Sequence, residues 1–182
     1  MDVAKILTYK YGPSGWAVTD FGNGFGPIIT YWDTDLLGVK PSTFEIQAWF
    51  DEVAFATTLA SKQEAVKNLR AAKGALGTAF PFSDGPGTVQ TRSEDDYINV
   101  TGFVNMAMLL NTQGVEAAVM IFRDEENITH TITPQEAIQM GMATAMRKQE
   151  LASTSWVHHD ALEHFTTLAE VMAYDITTGW PV

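Results

Sequence analysis

The sequence predicts an α+β fold. A small N-terminal antiparallel β-sheet with a long helix precedes a mainly helical C-terminal unit carrying a β-hairpin. Three observations predict it. Short runs rich in β-branched and aromatic residues are punctuated by glycine and proline. Serine- and threonine-led capping signals open long stretches of helical apolar spacing. An apolar strand, a polar turn and an alternating strand stand between two of those stretches.

The first 32 residues read as strands. Lys5-Ile6-Leu7-Thr8-Tyr9-Lys10-Tyr11 ends at Gly12-Pro13, Trp16-Ala17-Val18-Thr19-Asp20-Phe21 follows a Ser14-Gly15 turn, and Pro27-Ile28-Ile29-Thr30-Tyr31-Trp32 is a third strand. Ser42 and Glu45 form a capping-box pair that starts a helix. Ile46, Trp49, Phe50, Val53, Thr57, Ala60, Ala65, Val66, Leu69 and Ala72 continue it at helical spacing. One long helix, or two with a break near Thr57-Thr58, runs to about Lys73. Lys62, Lys67, Arg70 and Lys73 suit the negative end of its dipole.

Residues 74–87 hold four glycines and two prolines without periodicity and read as a linker. Phe80 and Phe82 inside it indicate a segment lying against a surface. The domain division is therefore 1–73, a linker at 74–92, and 93–182. In the second half, Thr88–Arg92 is a short strand, and Ser93 caps a helix whose first turn holds Glu94, Asp95 and Asp96. Its stripe is Ile98, Thr101, Gly102, Asn105, Met106 and Leu109. Ala117-Ala118-Val119-Met120-Ile121-Phe122 and Ile128-Thr129-His130-Thr131-Ile132 flank a polar turn as a hairpin.

Thr133-Pro134-Gln135-Glu136 is the strongest local signal: threonine caps, proline takes the first helical position, and Glu136 closes the box. Ala137, Ile138, Met142, Ala145 and Met146 form one stripe; His158, Ala161, Leu162, Phe165, Leu168, Ala169 and Met172 form another. One helix or two with a joint near 152–155 both fit. Gly179-Trp180-Pro181 ends the helical stretch.

The chain has 182 residues, 46% hydrophobic and 18% charged, enough for a core without metal or disulfide staples. Net charge is −11 and uneven. Residues 1–92 carry 9 acidic and 8 basic side chains, net −1; residues 93–182 carry 13 and 3, net −10. So negative a C-terminal half repels phosphate backbones and anionic membrane surfaces, which predicts no nucleic-acid partner. With no cysteine, disulfides, thiol catalysis and zinc–thiolate sites are excluded. No apolar run approaches the roughly 20 residues of a bilayer span, and no signal peptide is evident, so synthesis in a cytoplasm without membrane insertion is expected.

Motifs that carry chemistry are few. Gly22-Asn23-Gly24-Phe25-Gly26 precedes strand-like residues instead of a helix, so it reads as a hairpin or loop, not a phosphate cradle. His159 with Glu163, and Asp160 with His164, are four apart on a helix, but the pairs point about 100° apart and do not converge on one metal ion. His158 shares the apolar stripe and reads as a buried, hydrogen-bonded histidine. Glu94-Asp95-Asp96 compensates a helix dipole, and Asp124-Glu125-Glu126 lacks the alternation and glycine of a calcium loop. Trp16, Tyr31, Trp32 and Trp49 alternate with core positions, which favours packing over a sugar platform. No catalytic, cofactor-binding or metal-binding residue is predicted. Trp16, Trp32, Trp49, Phe80, Phe82, Trp156 and Trp180 are the expected interface or packing residues.

The helix–hairpin–capped-helix order, with Phe122-Arg123-Asp124 entering the turn, Asn127 leaving it, Thr133 capping the next helix and Gly179-Trp180-Pro181 at the end, resembles a phage-associated domain of unknown function. That domain occurs at the C-terminus of short tail proteins, and the match covers about 93–182. Ile29-Thr30-Tyr31-Trp32, Leu37-Gly38 and Pro41-Ser42 are more weakly similar to other small tail proteins. The resemblance implies a virion or tail-assembly setting and no catalytic residues. The expectation is a non-enzymatic structural part of a bacteriophage tail, at the baseplate or a tail-fibre attachment, without cofactor. Its partners would be other tail proteins and copies of itself, with a trimer favoured. A tail-fibre assembly chaperone and a host-surface binding module are the alternatives.

Overall fold

The computed structural model describes residues 2–20 and 27–181. It is α+β, with helices and three separate two-stranded antiparallel sheets. The glycine-rich loop at 22–26 lies outside the described residues. The chain divides into two compact units: 1–62 with 165–174, and 63–164 with 175–182. The division does not fall at 74–92, because that segment is folded into the second unit.

Unit 1 opens with helix α1 (Val3–Tyr11) where the sequence predicted a strand. The Asp2 side chain accepts from Lys5 N and caps the helix, and Gly12, at φ 81°, ends it with a hydrogen bond to Thr8 O. Val3, Ile6 and Leu7 fall on one helical face and are buried. The β-branched composition costs at most about 0.7 kcal/mol per residue in a helix. Burying each of those aliphatic side chains returns about 1.5–3 kcal/mol. Burial outweighs propensity, which is why the strand reading fails.

Strands β1 (Trp16–Thr19) and β2 (Ile28–Trp32) pair with each other, with a register shift between Ala17 and Val18. A single turn, α2 (Thr34–Leu37), is capped by Asp33. Helix α3 (Thr43–Gly74) runs unbroken through Thr57. Its capping box is formed as predicted: Glu45 N donates to Ser42 Oγ at 3.2 Å, and Ser42 N donates to Glu45 Oε2 at 2.7 Å. The unit's core joins Val3, Ile6 and Leu7 to Ile46 and Val53 of α3, ringed by Tyr11, Trp16, Trp32 and Trp49. Tyr11 meets Trp32 and Trp49 edge-on at 5.0 and 5.9 Å. Trp16 Nε1 donates to Gly12 O and Trp32 Nε1 to Gly38 O, so both indoles pack without an unsatisfied N–H. Helix α6 (Leu168–Ala173) belongs to this unit, capped by a Thr167–Glu170 box that the sequence reading missed.

In unit 2 the expected linker is a β-hairpin. Strands β3 (Thr78–Phe82) and β4 (Gly85–Val89) pair in register from Thr78↔Val89 to Phe82↔Gly85 across a two-residue Ser83-Asp84 turn. Alternation buries Thr78, Phe80 and Phe82. Glycine and proline do not break it because a two-stranded ribbon leaves one edge of each strand unpaired. Helix α4 (Glu94–Thr112) starts at a Ser93–Asp96 capping box. Strands β5 (Met120–Arg123) and β6 (Thr129–Ile132) form the predicted second hairpin. Helix α5 (Pro134–His164) is continuous.

Two helical stripes differ from expectation. On α4 the buried face is Val100 and Ala107, flanked by Phe103, Val104 and Leu110, whereas the predicted Ile98, Met106 and Leu109 are exposed. On α5 the inward residues are Ala137, Met140, Thr144, Leu151, Ser155, His158 and Leu162, and Met142 and Met146 face outward. Both helices carry apolar side chains on more than one face, so periodicity alone does not choose the phase.

Candidate functional site

The polar centre of unit 2 is built where the two hairpins meet. Asp84 occupies the β3–β4 turn, Asp124 opens the β5–β6 turn, and His130 lies on β6 between them. His130 Nδ1 is 2.6 Å from Asp84 Oδ1, and Nε2 is 3.1 Å from Asp124 Oδ2. Both neighbours are carboxylates, which accept, so the arrangement favours the protonated ring, in which both nitrogens donate. His130 is 2% exposed and Asp124 is 0% exposed. Burial pushes the His130 pKa down, but the hydrogen bonds to Asp84 and Asp124 outweigh it and hold it above 6.5. Burial likewise works against the Asp124 carboxylate, yet its bonds from His130 and Ile128 N hold its pKa below 3.8. Asp84, hydrogen-bonded by His130 and Thr131 N, is also lowered.

Every surrounding contact fixes this arrangement. Ile128 N donates to Asp124 Oδ1 at 2.6 Å, and Asn127 takes the left-handed φ of 63° that the tight turn requires. Thr131 N donates to Asp84 Oδ2 at 2.9 Å. Phe82 stacks on His130 with centroids 3.9 Å apart, a face for the cationic ring. A β-carbon at Gly87 would stand 2.5 Å from Asp124 Oδ2 and 2.8 Å from His130 Nε2, so only glycine lets β4 approach. Thr88 N and Oγ1 donate to Glu126.

Chemically, the triad is spent on itself. A general base needs a free nitrogen lone pair, and both His130 nitrogens are engaged. It welds the two hairpins. In the sequence His130 is recognisable only as a strand residue and Asp124 only as part of a polar turn. Nothing in local spacing joins Asp84 to His130 across 46 positions. Glu136 was expected to close its own capping box. Glu136 N does donate to Thr133 Oγ1, but its carboxylate receives Ser83 N and Oγ and ties α5 to the β3–β4 turn.

The remaining expected residues fall into two groups. Phe80 and Phe82 are core, and Trp180 is 8% exposed, stacked on His158 at 5.5 Å with Nε1 donating to Ile176 O. His158, itself buried, lies 3.0 Å through Nε2 from Thr178 O. His159, Asp160, Glu163 and His164 do not converge: among the described residues no group of three or more histidine and acidic side chains is placed to hold a metal ion. Trp156, at 59% exposure, faces outward with Met142, Met146, Gln149 and Ser153 at i, i+4, i+7, i+11 and i+14 spacing along α5. On α4, residues 97–112 contain no charged side chain, and Ile98, Met106, Met108 and Leu109 are exposed. An exposed helix face usually carries charge, so the lack of it here marks a surface suited to burial. No helix among the described residues is long and apolar enough to cross a membrane.

Among known families, the profile of a domain of unknown function, DUF4376, matches residues 57–178. The match takes in the β3–β4 hairpin, both polar turns and all of α4 and α5. No curated protein matches the chain significantly, and no solved structure does.

Proposed function

The chain belongs to the DUF4376 family, and on that premise we propose that it is a non-enzymatic structural component of a bacteriophage tail. It works through protein–protein interfaces, at the baseplate or at a tail-fibre attachment point. The observation that carries this reading is the charge-free outer face of α4. In a chain of net charge −11, sixteen consecutive helical residues without a charge leave Ile98, Met108 and Leu109 in water. At about 25 cal/mol per Å² of apolar area, such a face is stabilised by covering it. The Met142–Met146–Trp156 stripe on α5 adds methionine and tryptophan, side chains that suit adaptable interfaces. The resemblance of the sequence motifs around residues 122–133 and 179–181 to a phage-associated domain suggests the setting, and the self-satisfied Asp84–His130–Asp124 network supports a scaffold over a catalyst.

Mass spectrometry of virions purified from an infection that expresses this chain tests the proposal. The expected result is the chain at a fixed ratio to known tail proteins. Abundance in the lysate with absence from particles would replace it with an assembly chaperone.

A further inference from the structure

We propose that a cleft in unit 2, framed by Arg70, Arg92 and Lys148, docks an acidic peptide segment of a partner protein that carries apolar side chains beside its carboxylates. The cleft encloses about 470 Å³ between the last turns of α3, the start of α4 and the middle of α5. That is within the range of pre-formed ligand sites. It gathers three of the chain's 11 cationic side chains, and Glu94 is its one acidic lining residue.

Of these cations only Arg92 has an internal carboxylate partner among the described residues, and that ion pair is long. Among the described residues Arg70 has no carboxylate within ion-pair distance. Lys148 Nζ rests 4.0 Å from the Tyr97 ring centroid, a contact that leaves its charge uncompensated. Arg92 Nε is 3.9 Å from Asp96 Oδ2, beyond hydrogen-bond reach, and that oxygen already receives Arg92 N and Ser93 N. In a chain with twice as many acidic as basic side chains, three such cations at one cleft are unusual. Arg70 and Lys148 are available to carboxylates from outside, and Arg92 adds a partly compensated charge to the rim.

The floor decides the class of partner. Ala71, Leu151 and Ala152 make it mainly apolar, which an inorganic anion would leave uncovered. A nucleic acid would have to continue over a half-chain of net charge −10, where its phosphates are repelled. A short peptide meets both demands, placing carboxylates on the rim and apolar side chains on the floor. Beyond the Tyr97–Lys148 pair the surface continues as a groove along Ile98, Gly102 and Asn105, and Gly102 leaves that path open. The site stands whether or not the tail assignment does.

The test uses the full chain and a fluorescein-labelled peptide alternating glutamate and leucine. Its controls are the same peptide with lysine for glutamate, and a 12-nucleotide oligothymidylate. Anisotropy is expected to report binding of the glutamate peptide that weakens at least fivefold between 50 and 300 mM salt. At least tenfold weaker binding is expected for R70S/K148Q and for both controls, with binding kept in R70K/K148R. Independently of any variant, amide shifts in the wild-type chain are expected to centre on residues 70–74, 92–97 and 148–152. No binding of the glutamate peptide, binding undiminished in R70S/K148Q, shifts centred elsewhere, or tighter binding of the oligothymidylate would each overturn the proposal.

Discussion

Val104 on α4 seats its side chain in the notch left by Gly141 on α5, and a β-carbon at Gly141 would overlap Val104 Cγ2. Glycine inside a helix costs about 0.5–1 kcal/mol relative to alanine. Its presence there is a packing requirement of the α4–α5 contact.

Gly141→Ala is therefore expected to destabilise the protein, although helix propensity alone favours it. Overpacking costs about 1–3 kcal/mol and exceeds the propensity gain. Val104→Ala should restore part of the loss when combined with it, because the clash is gone. Urea unfolding of the two single variants and the double variant measures the coupling. Simple additivity of the two changes would show that the notch is not a constraint.

The His130 network makes stability depend on pH in a defined direction. The His130 pKa lies above 6.5 in the folded state, so its contribution is complete below 6.5 and disappears as pH rises through the raised value. Asp84 and Asp124 lie below 3.8, so their contributions hold above 3.8 and disappear as pH falls through the lowered values. Unfolding midpoints should be highest between those limits and decline toward pH 9. His130→Gln should flatten the alkaline decline and cost about 3 kcal/mol at pH 6, since it strands the buried Asp124 charge. A wild-type midpoint equal at pH 6 and pH 9 would contradict this.

Trp180→Ala should cost about 3 kcal/mol by emptying the space against His158. A drop in melting temperature is the readout. Trp156→Ala, on an exposed position, should leave the melting temperature within a degree or two.

The outer stripes should govern association. Mass photometry of the wild type at micromolar concentration is expected to show a trimer, three times the 20.0 kDa chain. Leu109→Glu and Met146→Glu should dissociate it without lowering the monomer's melting temperature. A wild-type protein that is only monomeric would count against self-association as the use of these faces.

What the sequence made legible follows from how local each signal is. The Ser42–Glu45, Ser93–Asp96 and Thr133–Pro134 helix starts each depend on residues within four positions, and all three helices begin there. The β5–β6 hairpin was equally plain. The α1 helix was hidden because Ile6, Thr8 and Tyr9 favour strands locally, and only packing against Ile46 and Val53 reverses the preference. The β3–β4 hairpin was hidden by its glycines and prolines, although the buried alternation of Phe80 and Phe82 was there to be read. The Asp84–His130–Asp124 centre had no local trace, since its members meet only through tertiary structure. The fivefold apolar stripe on α5 pointed to a helix but not to its rotation: Met140 and Met142 are both hydrophobic, and one is buried while the other is not.

Unit 2 is sewn from two lengths of chain, with 175–182 returning after an excursion through 165–174. During translation the hairpins and α5 leave the ribosome before the piece that seals His158 beneath Trp180. A nascent chain stalled just past residue 164 would thus hold an almost finished body with one seam unsealed, a state that invites holdase chaperones and mispairing with sister chains.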